Sequence, residues 1–178
     1  MGDAVEDSAG DWVRAAVGRF EGPLTRYAHR LLGDAERARD VVQDAYLRLC
    51  GQDRAEVEPR LAEWLFTVVR NRSTDVLRKE GRMGGLSVEQ QRLRVSPEPG
   101  PAAAVEQIEE SARVLAMLES LPPTQREVIR LKFQEGFSYR EISRISGQSV
   151  TNVGYLIHVG LKTLRARLGV ERPGTVVS

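Results

Sequence analysis

Sulfur chemistry is nearly missing from this sequence. Its one cysteine, Cys50, has no second thiol with which to form an intrachain disulfide or build a structural zinc site, which fits a reducing compartment. Histidine is almost as scarce. His29 and His158 stand far apart without paired ligands, so neither a metal centre nor a histidine-based triad finds support. No Gly-rich GxxxxGK loop followed by Ser or Thr is present. These absences predict a protein that is not an enzyme and holds no cofactor or metal. The acidic start MGDAVEDSAGDW lacks the basic head and apolar run of a secretory signal, and no apolar stretch approaches the ~20 residues of a membrane span. A cytoplasmic protein without membrane insertion is expected. Nor is charge of one sign in excess: 26 Lys plus Arg meet 25 Asp plus Glu, so any nucleic-acid signal must be local.

Strand signals are also absent, since apolar and polar residues do not alternate and no Asn-Gly or Asp-Gly turn occurs. Helical periodicity takes their place. With 178 residues, 41% hydrophobic and 29% charged, the chain suits one domain or two small ones. From Trp12 to about Lys79, apolar residues recur at helical spacing, with breaks expected at EGP (21–23), at Gly33 and across GQDRAEVEP (51–59), giving three or four helices. The stretch 81–104 carries glycines and, after Ser96, three prolines in five residues, which forbids a continuous helix and reads as a linker. Helical pattern resumes near Val105. It pauses at LPPTQRE, where Pro122 and Pro123 can open a helix with Thr124 near its cap, and runs on to Leu168. The tail GVERPGTVVS reads as loose, and no internal repeat is visible. The expected fold is all-α: a helical domain over 11–82, a flexible linker over 83–104, and a second helical domain over 105–169.

Three faces carry candidate chemistry. In DVVQDAYLRLC (40–50), Val41, Val42, Ala45, Tyr46 and Leu49 gather on one side of the helical wheel, leaving Asp40, Gln43, Asp44 and Leu47 on the other. That polar side is either an ordinary solvated face or a docking face, whose leucine ringed by acids would suit a basic partner helix with an apolar centre. In RLAEWLFTVVRNRSTDVLRKEGR (60–82), the predicted buried stripe is Leu61, Leu65, Val68, Val69 and Val76. Trp64, Thr67, Asn71, Thr74 and Arg78 share the opposite face and flank. Six basic residues, Arg70, Arg78 and Lys79 among them, stand against three acids. Single-stranded nucleic acid suits that mixture of cations, an aromatic ring and an amide, although Trp64 taken alone reads more readily as a core residue.

The third face lies in SYREISRISGQSVTNVGYLIHVGLKTLRARL (138–168), two helices joined by a short turn over Gly147–Ser149. Ile142, Ile145, Val150, Val153, Ile157, Leu161, Leu164 and Leu168 are spaced to pack the pair together. Gly147 lets the chain turn, and Ser149 can cap the second helix. Thr151, Tyr155, His158, Val159 and Lys162 then project outward with Asn152 beside them, as in a helix-turn-helix set into a major groove. An ordinary helical hairpin has the same spacing.

In their order along the chain these segments resemble the extracytoplasmic-function (ECF) sigma factors of bacterial RNA polymerase. LLGDAERARDVVQDAYLRL is similar to that family's region 2.2, EWLFTVVRNRSTDVLRKEGR to its regions 2.3 and 2.4, and LESLPPTQREVIRLKFQEGFSYREISRISGQSV to region 4.1 running into 4.2. The resemblance implies that Asp40, Gln43, Asp44 and Leu47 face the clamp helices of the largest polymerase subunit. It implies minus-ten contacts from Trp64, Thr67, Arg70, Asn71, Arg78 and Lys79, with the preceding loop, about 51–60, placed to capture a flipped base. For the helix-turn-helix, it implies that Ser149, Thr151, Asn152, Tyr155, His158 and Lys162 meet the minus-thirty-five element. The partners would be core RNA polymerase, promoter DNA and an anti-sigma factor. One departure stands out: the family's usual basic residues are replaced by Gly154, Leu156, Val159 and Leu161. Two other readings stay open, a stand-alone helix-turn-helix regulator of transcription and a module that binds protein only.

Overall fold

The computed structural model describes residues 3–84 and 114–168, and these are helical with no strand among them. They fall into two units, divided between Pro97 and Glu98, inside the expected linker. Most of that linker, the stretch 105–113 and the tail from residue 169 lie outside the described residues.

Unit 1 packs three long helices, α1 (Asp3–Leu32), α2 (Ala35–Cys50) and α4 (Leu61–Gly84), around one apolar centre. Leu24, Ala28, Ala45, Leu49, Leu65 and Val69 are fully buried there, and Tyr27 meets Phe66 at 5.1 Å between ring centroids. All five residues expected on the inner side of α2 are buried. The boundary between α1 and α2 follows local chemistry. Gly33 takes a positive φ of 69° and ends α1, and the Asp34 carboxylate then accepts the Arg37 N–H at 2.9 Å to cap α2. The Arg37 N–H, foremost, holds the Asp34 carboxyl below its ordinary pKa.

Three expectations for this unit need correction. Residues 21–23 do not break the first helix: α1 runs 30 residues with Pro23 inside it. A proline removes one backbone bond, but here Phe20, Leu24, Tyr27 and Ala28 are buried on either side of it, and tertiary packing overrides the local penalty. The stretch 51–59 is not irregular throughout, because it holds a short helix α3 (Arg54–Val57) and a 3-10 turn, Glu58–Arg60. Asp53 caps α3 through Ala55 N–H at 2.8 Å, Arg54 grips Glu58 with two bonds of 2.8 and 3.1 Å, and Val57 is buried at 2% exposure. The inner stripe of α4 is Leu65, Phe66, Val69 and Ser73. Leu61, Val68 and Val76 are only half-buried.

Unit 2 comprises α5, described over 114–119, then α6 (Pro123–Phe133), α7 (Tyr139–Ser146) and α8 (Val150–Leu168). Pro123 opens α6 as expected, with Pro122 in the cap position. Glu119 accepts hydrogen bonds from both Arg126 and the buried Arg130, tying α5 to α6. Val128, Leu131, Ile142, Ile145, Val153 and Ile157 form the core. Two residues expected in the helix-pairing seam are exposed instead, Val150 at 44% and Leu168 at 38%. Each sits at an end of α8. A residue outside the expected set makes a second close approach: Gly160 is buried, and a Cβ there would stand 2.5 Å from Ile129 Cδ1, so α6 crosses α8 closely at a position with no side chain.

Candidate functional site

On α2, Asp40, Gln43 and Leu47 are exposed, with Leu47 at 67%, the most exposed large apolar side chain among the described residues. Asp44 is half-buried. Its carboxylate accepts the Arg72 Nε–H from α4 and lies 3.6 Å from Arg48 Nε. The acid of this face is therefore tied to a cation of the neighbouring face. A second ion pair, Arg37 with Glu80, joins the same two helices. Neither pairing could be read from sequence, since each joins residues on separate helices.

Beside Leu47, α1 and α2 enclose a groove of about 400 Å³ lined by Val17, Glu21 and Thr25 on one wall and Val42, Gln43, Tyr46 and Leu47 on the other. The Tyr46 hydroxyl is buried and has no hydrogen-bond partner among the described residues. Burial, then the nearby Glu21 carboxylate, pushes this phenol up to about 12.

On α4, Trp64, Thr67, Asn71 and Arg78 share one stripe, with Arg70 and Lys79 on its opposite flanks. Asn71, Arg78 and Lys79 are exposed, while Trp64, Thr67 and Arg70 are half-buried. Trp64 is thus neither a sealed core residue nor a free one, unlike Trp12 at 8% exposure. The Thr67 hydroxyl donates to the Glu63 carbonyl at 2.7 Å and the Thr74 hydroxyl to that of Arg70 at 2.9 Å. Arg78 lies 3.6 Å from Asp75. In the loop before α4, Asp53 is engaged as a cap and Glu58 by Arg54, which holds the Glu58 carboxyl low. Part of the acidic charge there is thus committed within the loop.

On unit 2, α7 and α8 form the helix-turn-helix that the spacing suggested. Ser138 and Glu141 close a reciprocal capping box at the start of α7, and the hydrogen bonds from Ser138 hold the Glu141 carboxyl low. Gly147 ends α7 at φ 70°, and the Ser149 hydroxyl accepts Asn152 N–H at 3.1 Å. Thr151, Tyr155, His158 and Lys162 are exposed along one stripe of α8. Asn152 is half-buried, its amide donating to Gln148 Oε1 at 2.7 Å. Sequence reasoning missed a neighbour of this stripe. The Tyr139 ring lies against Gly154, 3.6 Å from where its Cβ would be, with Lys132 Nζ 5.5 Å above the ring. Among the described residues no cluster of His, Cys, Asp or Glu could hold a metal ion, and no helix is long and apolar enough to cross a membrane.

Comparison with known proteins places this arrangement. The family model described as Sigma-70 region 2 matches residues 16–83, and that described as Sigma-70, region 4 matches 111–164. The ECF RNA polymerase sigma factor EcfG of Rhodopseudomonas palustris is 33% identical over 93% of this chain and 87% of its own length. The chain belongs to the ECF RNA polymerase sigma factors. Another relative, the ECF sigma factor SigE of Mycolicibacterium smegmatis, is 29% identical over 99% of this sigma factor and 71% of its own length. In fold, the sigma factor is similar to Bartonella quintana RpoE, solved with the anti-sigma factor NepR, at a TM-score of 0.61 and 23% identity over 89% of this chain and 98% of that one.

Proposed function

We propose that this sigma factor works as a promoter-specificity subunit in the cytoplasm, with unit 1 gripping core polymerase and the opened strand and unit 2 reading upstream duplex. The domains would be 11–82 and 105–169, with 83–104 as the tether. The chain is not itself an enzyme. Nucleotidyl transfer belongs to the polymerase, and this subunit contributes binding energy and strand capture.

The observation that carries the reading is the exposed Leu47, set among Asp40, Gln43 and Asp44 and opening onto the α1/α2 groove. An apolar knob in an acidic rim suits the clamp helices of the largest subunit: charges steer the approach and the buried apolar centre supplies affinity. A basic partner that takes Asp44 competes for it with Arg72, and α4 carries the strand-facing stripe of Trp64, Thr67, Asn71 and Arg78. An anti-sigma factor is a further partner for this chain, motivated by the complex in which its structural neighbour was solved.

Two assays test the reading together. Trp64→Ala with Asn71→Ala in the reconstituted holoenzyme should abolish most open complex, seen as permanganate-reactive thymines, while leaving polymerase binding unchanged. Undiminished opening would assign the α4 stripe a structural role only.

A further inference from the structure

The helix-turn-helix presents an unusual reading edge. In such units the N-terminal residues of the second helix reach base edges, and guanine is most often read by a paired donor fork from Arg or Lys. The first two turns of α8 offer no cation. Their exposed stripe is Thr151, Tyr155 and His158, flanked by the half-exposed Val159, and the first amine, Lys162, comes ~16 Å beyond Thr151 at 1.5 Å rise per residue. Two polar side chains at the helix start are engaged internally. Ser149 caps the helix, and Asn152 is bonded to Gln148. The stripe therefore presents the Thr151 side chain with its methyl and hydroxyl, the Tyr155 phenol ring at 62% exposure and an imidazole, beside the half-exposed isopropyl group of Val159. The pyrimidine feature that matches methyls and rings is the C5-methyl of thymine, which projects into the major groove and is absent from cytosine.

We infer that Thr151, Tyr155 and Val159 determine upstream specificity by contacting thymine C5-methyl groups, with Lys162 held back for phosphate. This rests on the sigma-factor reading and adds to it the base feature recognised. Lys132, stacked on Tyr139 against Gly154, supplies a second cation at the edge of the same surface.

The test uses full-length protein reconstituted with core polymerase from its own cell. Promoters are first selected from a pool randomised in the upstream duplex, and uracil, which lacks only the methyl, then replaces thymine there. Each critical replacement should weaken promoter binding roughly fourfold, the effect of one buried methyl. Replacing guanine N7 by carbon in the same element should change binding less than twofold. Thr151→Ser and Val159→Ala, which remove methyls, should erase the thymine-over-uracil preference with the helix content by circular dichroism unchanged. Equal binding to uracil and thymine templates, or a dominant loss from the guanine change, would overturn the inference. Specific initiation with no upstream preference would overturn it too, assign α8 to a protein partner, and leave the sigma reading intact. Failure to initiate specifically on every selected duplex would instead remove the sigma reading and this inference with it.

Discussion

Leu47 and Tyr46 are neighbours on α2 with opposite fates, one 67% exposed and the other 9%. Leu47→Glu touches no core, so the thermal midpoint should stay within about 2–4 °C of wild type, since surface changes rarely exceed ~0.5 kcal/mol. Core-polymerase affinity should fall by about 2 kcal/mol, roughly thirtyfold, if Leu47 is the apolar centre of the docking face. Fluorescence titration of labelled variant with core enzyme checks this. Tyr46 gives a pH prediction. Its phenol is raised from 10.0 to about 12, so burial favours the neutral form. That stability is complete below the unfolded value and is lost as pH rises towards the folded one. Tyr46→Phe deletes a buried hydroxyl that has no partner among the described residues, and should match wild type within about 1 kcal/mol near neutrality. Wild type should lose stability relative to that variant between pH 10 and about 12. Urea unfolding on both sides of this window measures the gap, and parallel curves would mean that the phenol titrates alike in both states.

At the scale of elements, glycines on one helix have unlike roles. Gly160 sits at the α6/α8 crossing, where even a Cβ meets Ile129 at 2.5 Å, whereas Gly154 offers a Cβ ordinary contact with Tyr139 at 3.6 Å. Gly160→Leu should force the crossing apart and destabilise unit 2 by about 3 kcal/mol or more, the upper range for overpacking. Gly154→Ala should stabilise it by up to about 1 kcal/mol through helix propensity. Ser138→Ala, which opens the capping box, should cost about 1 kcal/mol. Circular dichroism with chemical denaturation ranks all three. The turns at Gly33 and Gly147 and the Ser149 cap were legible in the sequence, because they carry their chemistry within a few residues, whereas the Ser138 box was not read there. Continuity of α1 through Pro23 was not legible, since it depends on what packs against Phe20, Leu24 and Tyr27. The short α3 escaped notice because its stabilising pair, Arg54 with Glu58, is one contact in a run of polar residues.

Across the whole molecule, a net charge of only +1 hides two local pools of cations, one on α4 and one towards the end of α8. Few cations on the reading edge of α8 mean few counterions released there. Val159→Arg should therefore steepen the dependence of upstream-duplex binding on salt by about one unit of log-log slope for one new phosphate contact. Filter binding of the holoenzyme across a salt series reads that slope. An unchanged slope would mean that position 159 does not approach phosphate. Unit 1 links its two proposed surfaces internally through Asp44 with Arg72 and Arg37 with Glu80, so polymerase docking and strand capture are expected to respond to substitutions in each other's helices.

The sequence by itself determined the all-helical class, the division into two domains, the inner side of α2 and the helix-turn-helix, because period, caps and turn residues act over a few positions. It also left the outer stripes of α2, α4 and α8 readable by elimination. Only the tertiary structure decided that α1 continues through its proline, that Gly160 is a crossing point, that Trp64 is half-buried and that Asp44 is held by Arg72. Each of these depends on atoms brought together from distant parts of the chain, and local pattern carries no information about which distant partner arrives.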